Sequence, residues 1–177
     1  PRLGDRSSGN GNSPSRGSAV PGSVPDVSPA LWYTPPMYFD ALTLAAIAAE
    51  LRATVLDGRV QDVLPAGPLD IGLEIYAAHE RHYVLLSADR HTPRVHLASA
   101  KLRRGVETDS PLLLRLRKDL EGAFLTDIRQ PPFERVLELV FENVAVGEVK
   151  LIAECFERRA NLVVVQAGLV RECAVRV

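Results

Sequence analysis

The stretch DSPLLLRLRKDLEG, residues 109–122, contains the signals of one short helix. A cap residue followed by Pro111 is typical of a helix start, because proline fits the first helical position without the loss of a hydrogen bond. Leucines recur at 112, 113, 116 and 120, which is the spacing of one helical face. Gly122 suits the end of the helix, since glycine readily adopts the left-handed conformation found there. The stretch therefore predicts a helix with one buried face.

A second helix is predicted over residues 41–57. Asp40 is a good N-cap, apolar residues recur at helical spacing from Leu44 to Val55, and Gly58 suits the position just after the helix. The remaining segments have strand character and are separated by turn residues. They are 59–64, 69–77, 82–88, 94–97, 123–129, 134–142, 148–155, 161–166 and 169–175. Two helices among eight or nine strands, without a strand–helix–strand rhythm, predict an α+β domain built on an antiparallel β-sandwich.

The composition changes abruptly at Met37. Residues 1–36 contain 19 prolines, serines and glycines and show no apolar periodicity. Such a segment buries too little surface to offset the entropy of ordering it, so we expect a disordered leader. Because Met37 is the only methionine, we interpret it as the natural start, with the leader as read-through, a fragment artefact or a linker. A genuine disordered extension is the alternative. Residues 37–177 form the predicted domain.

Composition and motifs exclude several classes of function. The formal net charge of −1 excludes a protein that coats nucleic acid through bulk charge. No segment approaches the roughly 20 apolar residues of a membrane span. The two cysteines form no CxxC pair and the four histidines form no HExxH motif, so we predict no metal site and no cofactor. The sequence offers no catalytic constellation, and we predict that the domain is not an enzyme.

One segment is nevertheless strongly basic. Residues 90–118 carry eight lysines and arginines against Glu107 and Asp109, a local excess of +6. Charge clustered in this way can form a phosphate-binding face in a protein without a basic isoelectric point. The residues predicted to contact phosphate are Arg94, Lys101, Arg103, Arg104, Arg117 and Lys118. The alternative is that they are ordinary solvated residues of a loop and a helix.

The segment QPPFER, residues 130–135, contains the second candidate site. Its double proline ends one strand and sets the entry into the next. By strand alternation Arg135 shares the inward face of residues 137, 139 and 141, so its guanidinium must lie at the rim or pair with a buried acceptor. Glu134 lies on the opposite face and could reach around the strand end to orient Arg135 or contact a ribose hydroxyl itself. The alternative is a rim arginine whose aliphatic stem packs on the core and which has no further role.

Several short motifs together resemble the NFACT-N domain of the RqcH and NEMF ribosome-quality-control family, long labelled fibronectin-binding protein A. They are MYFD at 37–40, DGRV at 57–60, LLSA at 85–88 with RVH at 94–96, LRK at 116–118 with EG at 121–122, Glu134-Arg135, and Glu154 with Arg158 and Asn161. The resemblance covers residues 37–177. It implies a fold similar to the N-terminal domain of formamidopyrimidine-type DNA glycosylases.

The resemblance also implies a function. Full-length family members bind the large ribosomal subunit that carries an obstructed peptidyl-tRNA, recruit a charged tRNA (alanyl-tRNA in bacteria) and support template-free C-terminal tailing of the stalled chain. The family's Asp-Arg pair, implicated in tRNA engagement, corresponds to Glu134-Arg135 here. The implied location is cytoplasmic, with neither a membrane nor DNA as a partner.

The last motif departs from the family pattern. The family's Glu-x-Met-Gly-Arg-x-Ser-Asn appears here as ECFERRAN, residues 154–161. Phe156 replaces the methionine, Glu157 the glycine and Ala160 the serine. If the glycine needs a positive φ, we expect Glu157 to be strained.

Two other classes of function remain as alternatives. The older family label suggests a surface adhesin that binds fibronectin, although no export signal is visible. The shared fold suggests a DNA glycosylase, but those enzymes resemble one another in attacking with an N-terminal proline followed by glutamate. Neither Pro1-Arg2 nor Met37-Tyr38 matches that pattern.

Overall fold

A computed structural model describes residues 39–105 and 110–176. The predicted leader, residues 37–38 and the first residue of the stretch 109–122 lie outside these described residues. The helices are α1 (Ala41–Val55) and α2 (Pro111–Leu120), with a short 3₁₀ helix over Glu157–Arg159. The strands are β1 (Arg59–Gly67), β2 (Asp70–Ala77), β3 (Glu80–Ser87), β4 (Arg94–Ala98), β5 (Phe124–Arg129), β6 (Val136–Asn143), β7 (Gly147–Glu154), β8 (Asn161–Gln166) and β9 (Leu169–Cys173).

Both helices start as the sequence predicts. The Oδ1 atom of Asp40 accepts a hydrogen bond of 2.7 Å from the amide of Thr43, and the Oγ atom of Ser110 accepts one of 3.1 Å from the amide of Leu113. In α2 the predicted apolar face is buried, with Leu116 and Leu120 fully inaccessible. The side-chain caps satisfy amide groups that have no partner within the first helical turn.

The end of α1 differs from the prediction. Asp57, with φ of 60°, takes the left-handed position that we assigned to Gly58. Gly58 is required for a different reason, because a Cβ atom there would lie 2.6 Å from Cγ2 of Ile75 on β2. Aspartate tolerates the left-handed region better than most residues, so the chain can turn at Asp57 and approach β2 closely at Gly58.

The nine strands form one antiparallel sheet in the order β4-β3-β2-β1-β5-β6-β7-β8-β9. The register pair between β1 and β5 is Arg59 with Phe124, and backbone hydrogen bonds flank it between residues 57–60 and 122–125. The two halves of the sheet are therefore joined at a narrow junction. Strands β3 and β8 contact each other across the molecule, and one cluster of buried residues draws on both halves. Helix α1 packs on β4 and β5, and α2 packs on β1 and β9. The predicted α+β class is confirmed.

No helix in the described part of the chain has the length and apolar character needed to span a bilayer.

Candidate functional site

Arg135 lies at the rim of the sheet, immediately before β6. Val136 pairs with Glu154 at the end of β7, and the amide of Cys155 donates a 2.8 Å hydrogen bond to the carbonyl oxygen of Arg135. The arginine backbone is therefore fixed against the neighbouring strand. Its side chain is 35 % exposed, as strand parity and the preceding prolines predict for a rim residue.

Two residues that follow β7 hold the Arg135 guanidinium. Its carbon lies 5.3 Å from the centre of the Phe156 ring, and its Nη1 atom lies 3.9 Å from Oε1 of Glu157. An aromatic face and one carboxylate restrain the guanidinium, which has five N–H donors in total. The carboxylate that pairs with Arg135 is that of Glu157, whereas the sequence indicated Glu134 as a residue that could orient the arginine. The reason is that the strand pairing brings the end of β7 to Arg135, whereas Glu134 lies in the preceding turn. Contact of Glu134 with a ribose hydroxyl stays a prediction.

Residues 131–134 form a tight turn that leads to Arg135. The amide of Glu134 donates a 3.1 Å hydrogen bond to the carbonyl oxygen of Pro131, and Phe133 has φ of 61°. Nε2 of Gln130 donates to the carbonyl oxygens of Glu134 (2.9 Å) and Ala41 (2.8 Å), so the turn is tied to the start of α1. The Glu134 side chain is exposed.

The turn also brings Arg135 within electrostatic reach of the α1 cap. The pKa of Asp40 is lowered, first by the hydrogen bond from the Thr43 amide and to a smaller extent by the positive charge of Arg135. Arg135 therefore lies close both to the N-terminus of α1 and to the segment that follows β7.

The structure places the segment 130–135 beside the motif at residues 154–161, both of which the sequence indicated as candidate sites. Six residues line an open cleft, which we call the Arg135 cleft: Arg135, Glu154, Phe156, Glu157, Arg158 and Arg159. The predicted residues Glu154 and Arg158 lie in it, and Arg158 is exposed. Glu157 opens the 3₁₀ helix and has no positive φ, so the strain we expected there is absent.

The side chain of Asn161, the last residue of that motif, forms hydrogen bonds with the backbone. Its Oδ1 atom accepts hydrogen bonds from the amides of Leu162 (3.0 Å) and Val175 (2.9 Å), and its Nδ2 atom donates to the carbonyl oxygen of Val175 (3.0 Å). The side chain therefore fastens the end of the described chain to the start of β8.

The basic segment forms a second cleft, over β1 and β2, which we call the β1 cleft. It is lined by Asp62, Leu64, Glu74, Lys101, Leu102, Arg103 and Arg104, and shares no residue with the Arg135 cleft. Nη2 of Arg104 lies 2.5 Å from Oδ2 of Asp62, and the amide of Gly105 donates to the carbonyl oxygen of Pro65 at 2.7 Å. Arg117, on α2, donates from Nε to the carbonyl oxygen of Val63 at 3.2 Å.

Several arginines of the basic segment form ion pairs with carboxylates that lie outside residues 90–118. Arg94 pairs with Asp70 at 3.6 Å, in addition to the Arg104–Asp62 pair, and Arg115 pairs with the buried Asp119 at 2.5 Å. The excess of +6 counted over residues 90–118 therefore overstates the charge of this surface, because the count omits Asp62 and Asp70 on neighbouring strands and Asp119, one residue beyond the segment. Lys101, Arg103 and Lys118 are exposed and make no ion pair with any carboxylate of residues 39–105 and 110–176.

Several cationic side chains line each of the two clefts, and such groups can attract an anionic ligand. Cys155, beside the Arg135 cleft, is buried, and burial raises the pKa of its thiol to about 12, so it is protonated at neutral pH. Across residues 39–105 and 110–176, no three histidine, cysteine, aspartate or glutamate side chains form a group that could hold a metal ion.

Sequence reasoning missed Phe156, Glu157 and Arg159 as neighbours of Arg135. Phe156 and Glu157 were noted only as departures from a motif, and Arg159 was not noted. A register that pairs the start of β6 with the end of β7 would have placed all three beside Arg135.

Comparisons with known proteins give consistent matches. Residues 40–174 match the family described as NFACT N-terminal and middle domains. The chain is 32 % identical over 133 residues to the Rqc2 homolog RqcH of Streptococcus suis, and 26 % identical over 138 residues to that of Bacillus subtilis. These alignments cover 73 % and 75 % of this chain but 24 % of each relative, so the chain spans about a quarter of their length.

Solved structures agree with this match. The N-terminal domain of fibronectin-binding protein PavA from Streptococcus pneumoniae superposes with a TM-score of 0.73 at 27 % identity, covering 78 % of this chain and 54 % of that one. The N-terminal part of the fibronectin/fibrinogen-binding protein of Streptococcus suis gives the same TM-score, 0.73, at 30 % identity and the same coverage. With residues 40–174 matched and the two-helix, nine-strand fold shared, the chain belongs to the NFACT family of ribosome-quality-control proteins.

Proposed function

We propose that this chain is a non-catalytic RNA-binding module of a ribosome-quality-control factor, and that the Arg135 cleft engages tRNA. The observation that carries the proposal is the restrained Arg135 guanidinium beside two further arginines, Arg158 and Arg159. A planar guanidinium presents a fork of donors that matches a phosphate or a base edge. Family membership supports the same reading, since the curated relatives are named RqcH.

In this proposal the β1 cleft contributes contacts to RNA phosphates. Lys101 and Arg103 are exposed, and so is Lys118 on α2, the helix that packs on β1. Such contacts supply affinity and register without sequence preference. The wider proposal is that the protein acts in the cytoplasm on the large ribosomal subunit with its peptidyl-tRNA, where it supports template-free tailing with alanyl-tRNA as a partner.

Binding of tRNA to the full chain tests the role of Arg135. We expect Arg135→Ala to weaken binding by about tenfold, because a well-placed bidentate contact contributes roughly 1–3 kcal/mol. The fold should persist with a stability loss below about 1 kcal/mol, as for most rim substitutions. The matched control is Arg176→Ala, since Arg176 also pairs with one carboxylate, that of Glu172, but neither residue lines the Arg135 cleft or the β1 cleft. Equal affinities for the wild type and Arg135→Ala would refute the proposal, and unfolding of the variant would assign Arg135 a structural role.

A chimera tests the tailing activity. Residues 40–174 replace the matching segment of the Streptococcus suis relative, and the chimera is expressed in cells without their own RqcH. We expect C-terminal tails on stalled chains with the wild-type segment, and few with Arg135→Ala, while ribosome association remains in both. Normal tailing by the variant would contradict the assignment of Arg135.

A surface adhesin is the second candidate, because the two solved relatives are a fibronectin-binding protein and a fibronectin/fibrinogen-binding protein. Immobilised fibronectin tests it with the same pair of variants. Saturable binding to fibronectin, without binding to tRNA, would favour the adhesin.

A further inference from the structure

Phe133 is the most exposed aromatic side chain of the described residues. It is 91 % exposed, compared with 47 % for Phe124 and 43 % for Tyr76. Its φ of 61° lies in the left-handed region, where a bulky residue without a local hydrogen-bonding side chain is a genuine outlier. Both features cost free energy, and glycine at this position would avoid both.

The fold holds Phe133 in this conformation. A hydrogen bond from the Glu134 amide to the carbonyl oxygen of Pro131 closes a turn of type II, whose third position requires a positive φ. Pro132 fixes its own φ at the second position of that turn. The Gln130 amide ties the exit of the turn to Ala41 on α1. The ring is therefore presented to solvent by a rigid backbone and has no apolar surface of the described residues to cover it.

The charges near Phe133 indicate what the ring binds. Arg135 follows two residues later, a separation of at most about 7 Å along the chain. Arg135 also belongs to a cleft with Arg158 and Arg159. An exposed aromatic ring beside cationic groups is the arrangement with which proteins bind single-stranded nucleic acid, where the ring stacks on a base and the cations contact the backbone. A base inside a duplex is already stacked on its neighbours and does not offer a free face.

We propose that Phe133 stacks on an unpaired nucleobase of the RNA whose backbone contacts the Arg135 cleft, so that this site selects single-stranded loops or ends over duplex. This inference rests on the proposed function and adds the class of RNA that the site recognises. The strained turn serves to hold the ring in position before the RNA arrives, which reduces the entropy lost on binding.

The test compares three variants of the full chain on an unstructured RNA 12-mer and on a duplex of the same sequence. Phe133→Gly should raise the thermal midpoint by about 2–5 °C, because the left-handed strain is relieved. The same variant should weaken binding of the single strand by about tenfold and leave the duplex within about twofold. Phe133→Trp should keep the affinity, and its fluorescence should be quenched by the single strand. Phe124→Ala is the control, since Phe124 is another exposed aromatic that contacts an arginine, Arg59, and single-strand binding should be unchanged.

Wild-type affinity of Phe133→Gly for the single strand would overturn the inference, and the proposed function would still stand if Arg135→Ala loses binding. Equal losses on the single strand and the duplex would also overturn it, because the ring would then not distinguish an unpaired base. If the wild-type chain binds tRNA but neither model RNA, the inference is overturned and the proposed function stands; if it does not bind tRNA either, both fail.

Discussion

The Arg135 cleft and the β1 cleft both present arginines to solvent, but they differ in which parts of the chain supply the charged residues. In the Arg135 cleft, residues from two distant segments converge. Glu154 and Glu157 both line this cleft, and the half-exposed carboxylate of Glu157 lies 3.9 Å from the central arginine. In the β1 cleft the cations come from one loop, Lys101–Arg104, and are laid over strands that carry carboxylates. There Asp62 lies 2.5 Å from Arg104.

The difference shows that the density of charge along a sequence is a poor measure of the charge available to a ligand. The basic segment contains more cations than residues 135–159, yet Arg94, Arg104 and Arg115 are each paired with a carboxylate. Arg135 does not belong to a cluster of basic residues in the sequence, yet its guanidinium is restrained by the Phe156 ring and the Glu157 carboxylate. The following predictions separate structural from ligand-binding cations on this basis.

The largest effect is expected for Arg115, which belongs to the basic segment but acts within the fold. It pairs with fully buried Asp119 and donates a 2.9 Å hydrogen bond to Gln166 on β8. Removing one member of a buried pair leaves the other uncompensated, so Arg115→Ala should lower the free energy of unfolding by about 2–3 kcal/mol. Urea unfolding measures the loss. Arg115→Met combined with Asp119→Leu should recover most of it, and RNA affinity corrected for the folded fraction should be unchanged.

A smaller effect distinguishes two neighbouring cations of the β1 cleft. Arg103 has no carboxylate partner among the described residues, whereas Arg104 is paired with Asp62. Arg103→Ala should reduce the slope of log affinity against log salt by about 0.7–0.9, with an affinity loss of about fivefold at 0.1 M salt. Arg104→Ala should change the slope less, because Asp62 already compensates its charge. An unchanged slope for Arg103→Ala would place the phosphate contacts elsewhere.

A gain of affinity is expected at Glu157. Its carboxylate competes with RNA phosphate for Arg135 and is 52 % exposed. Because exposed ion pairs contribute only about 0–1 kcal/mol, Glu157→Gln should strengthen tRNA binding by about threefold. Glu148→Gln is a matched control, since Glu148 is 51 % exposed and lies 3.8 Å from Lys150. The same gain in both variants would show an effect of net charge rather than competition at Arg135.

The smallest effect is expected for deletion of residues 1–36. Their composition predicts no packed structure, so the thermal midpoint of the shortened chain should agree with that of the full chain within about 2 °C. Differential scanning calorimetry on both chains measures this. A larger decrease would mean that the leader packs on the domain.

Local patterns were sufficient for the helices and strands but not for the site. The pair Ser110-Pro111 and the leucine spacing predicted α2 because capping and amphipathicity depend on residues close in sequence. The partners of Arg104 and Arg135 are 42 and 22 residues away, at Asp62 and Glu157, and no local pattern identifies them. The end of α1 was placed two residues late for the same reason, since the role of Gly58 depends on contact with β2.

The narrow junction between the two halves of the sheet has a consequence for folding kinetics. Every pair of adjacent strands in the sheet is also consecutive in sequence except β1 and β5. Hairpins that close short loops form early, whereas the β1–β5 junction must enclose the 64 residues between Arg59 and Phe124. Such closure is entropically costly before its contacts form, so we expect it to be the rate-limiting event in folding. Substitutions around Arg59 and Phe124 should then slow refolding, whereas substitutions in the β8–β9 hairpin should mainly accelerate unfolding.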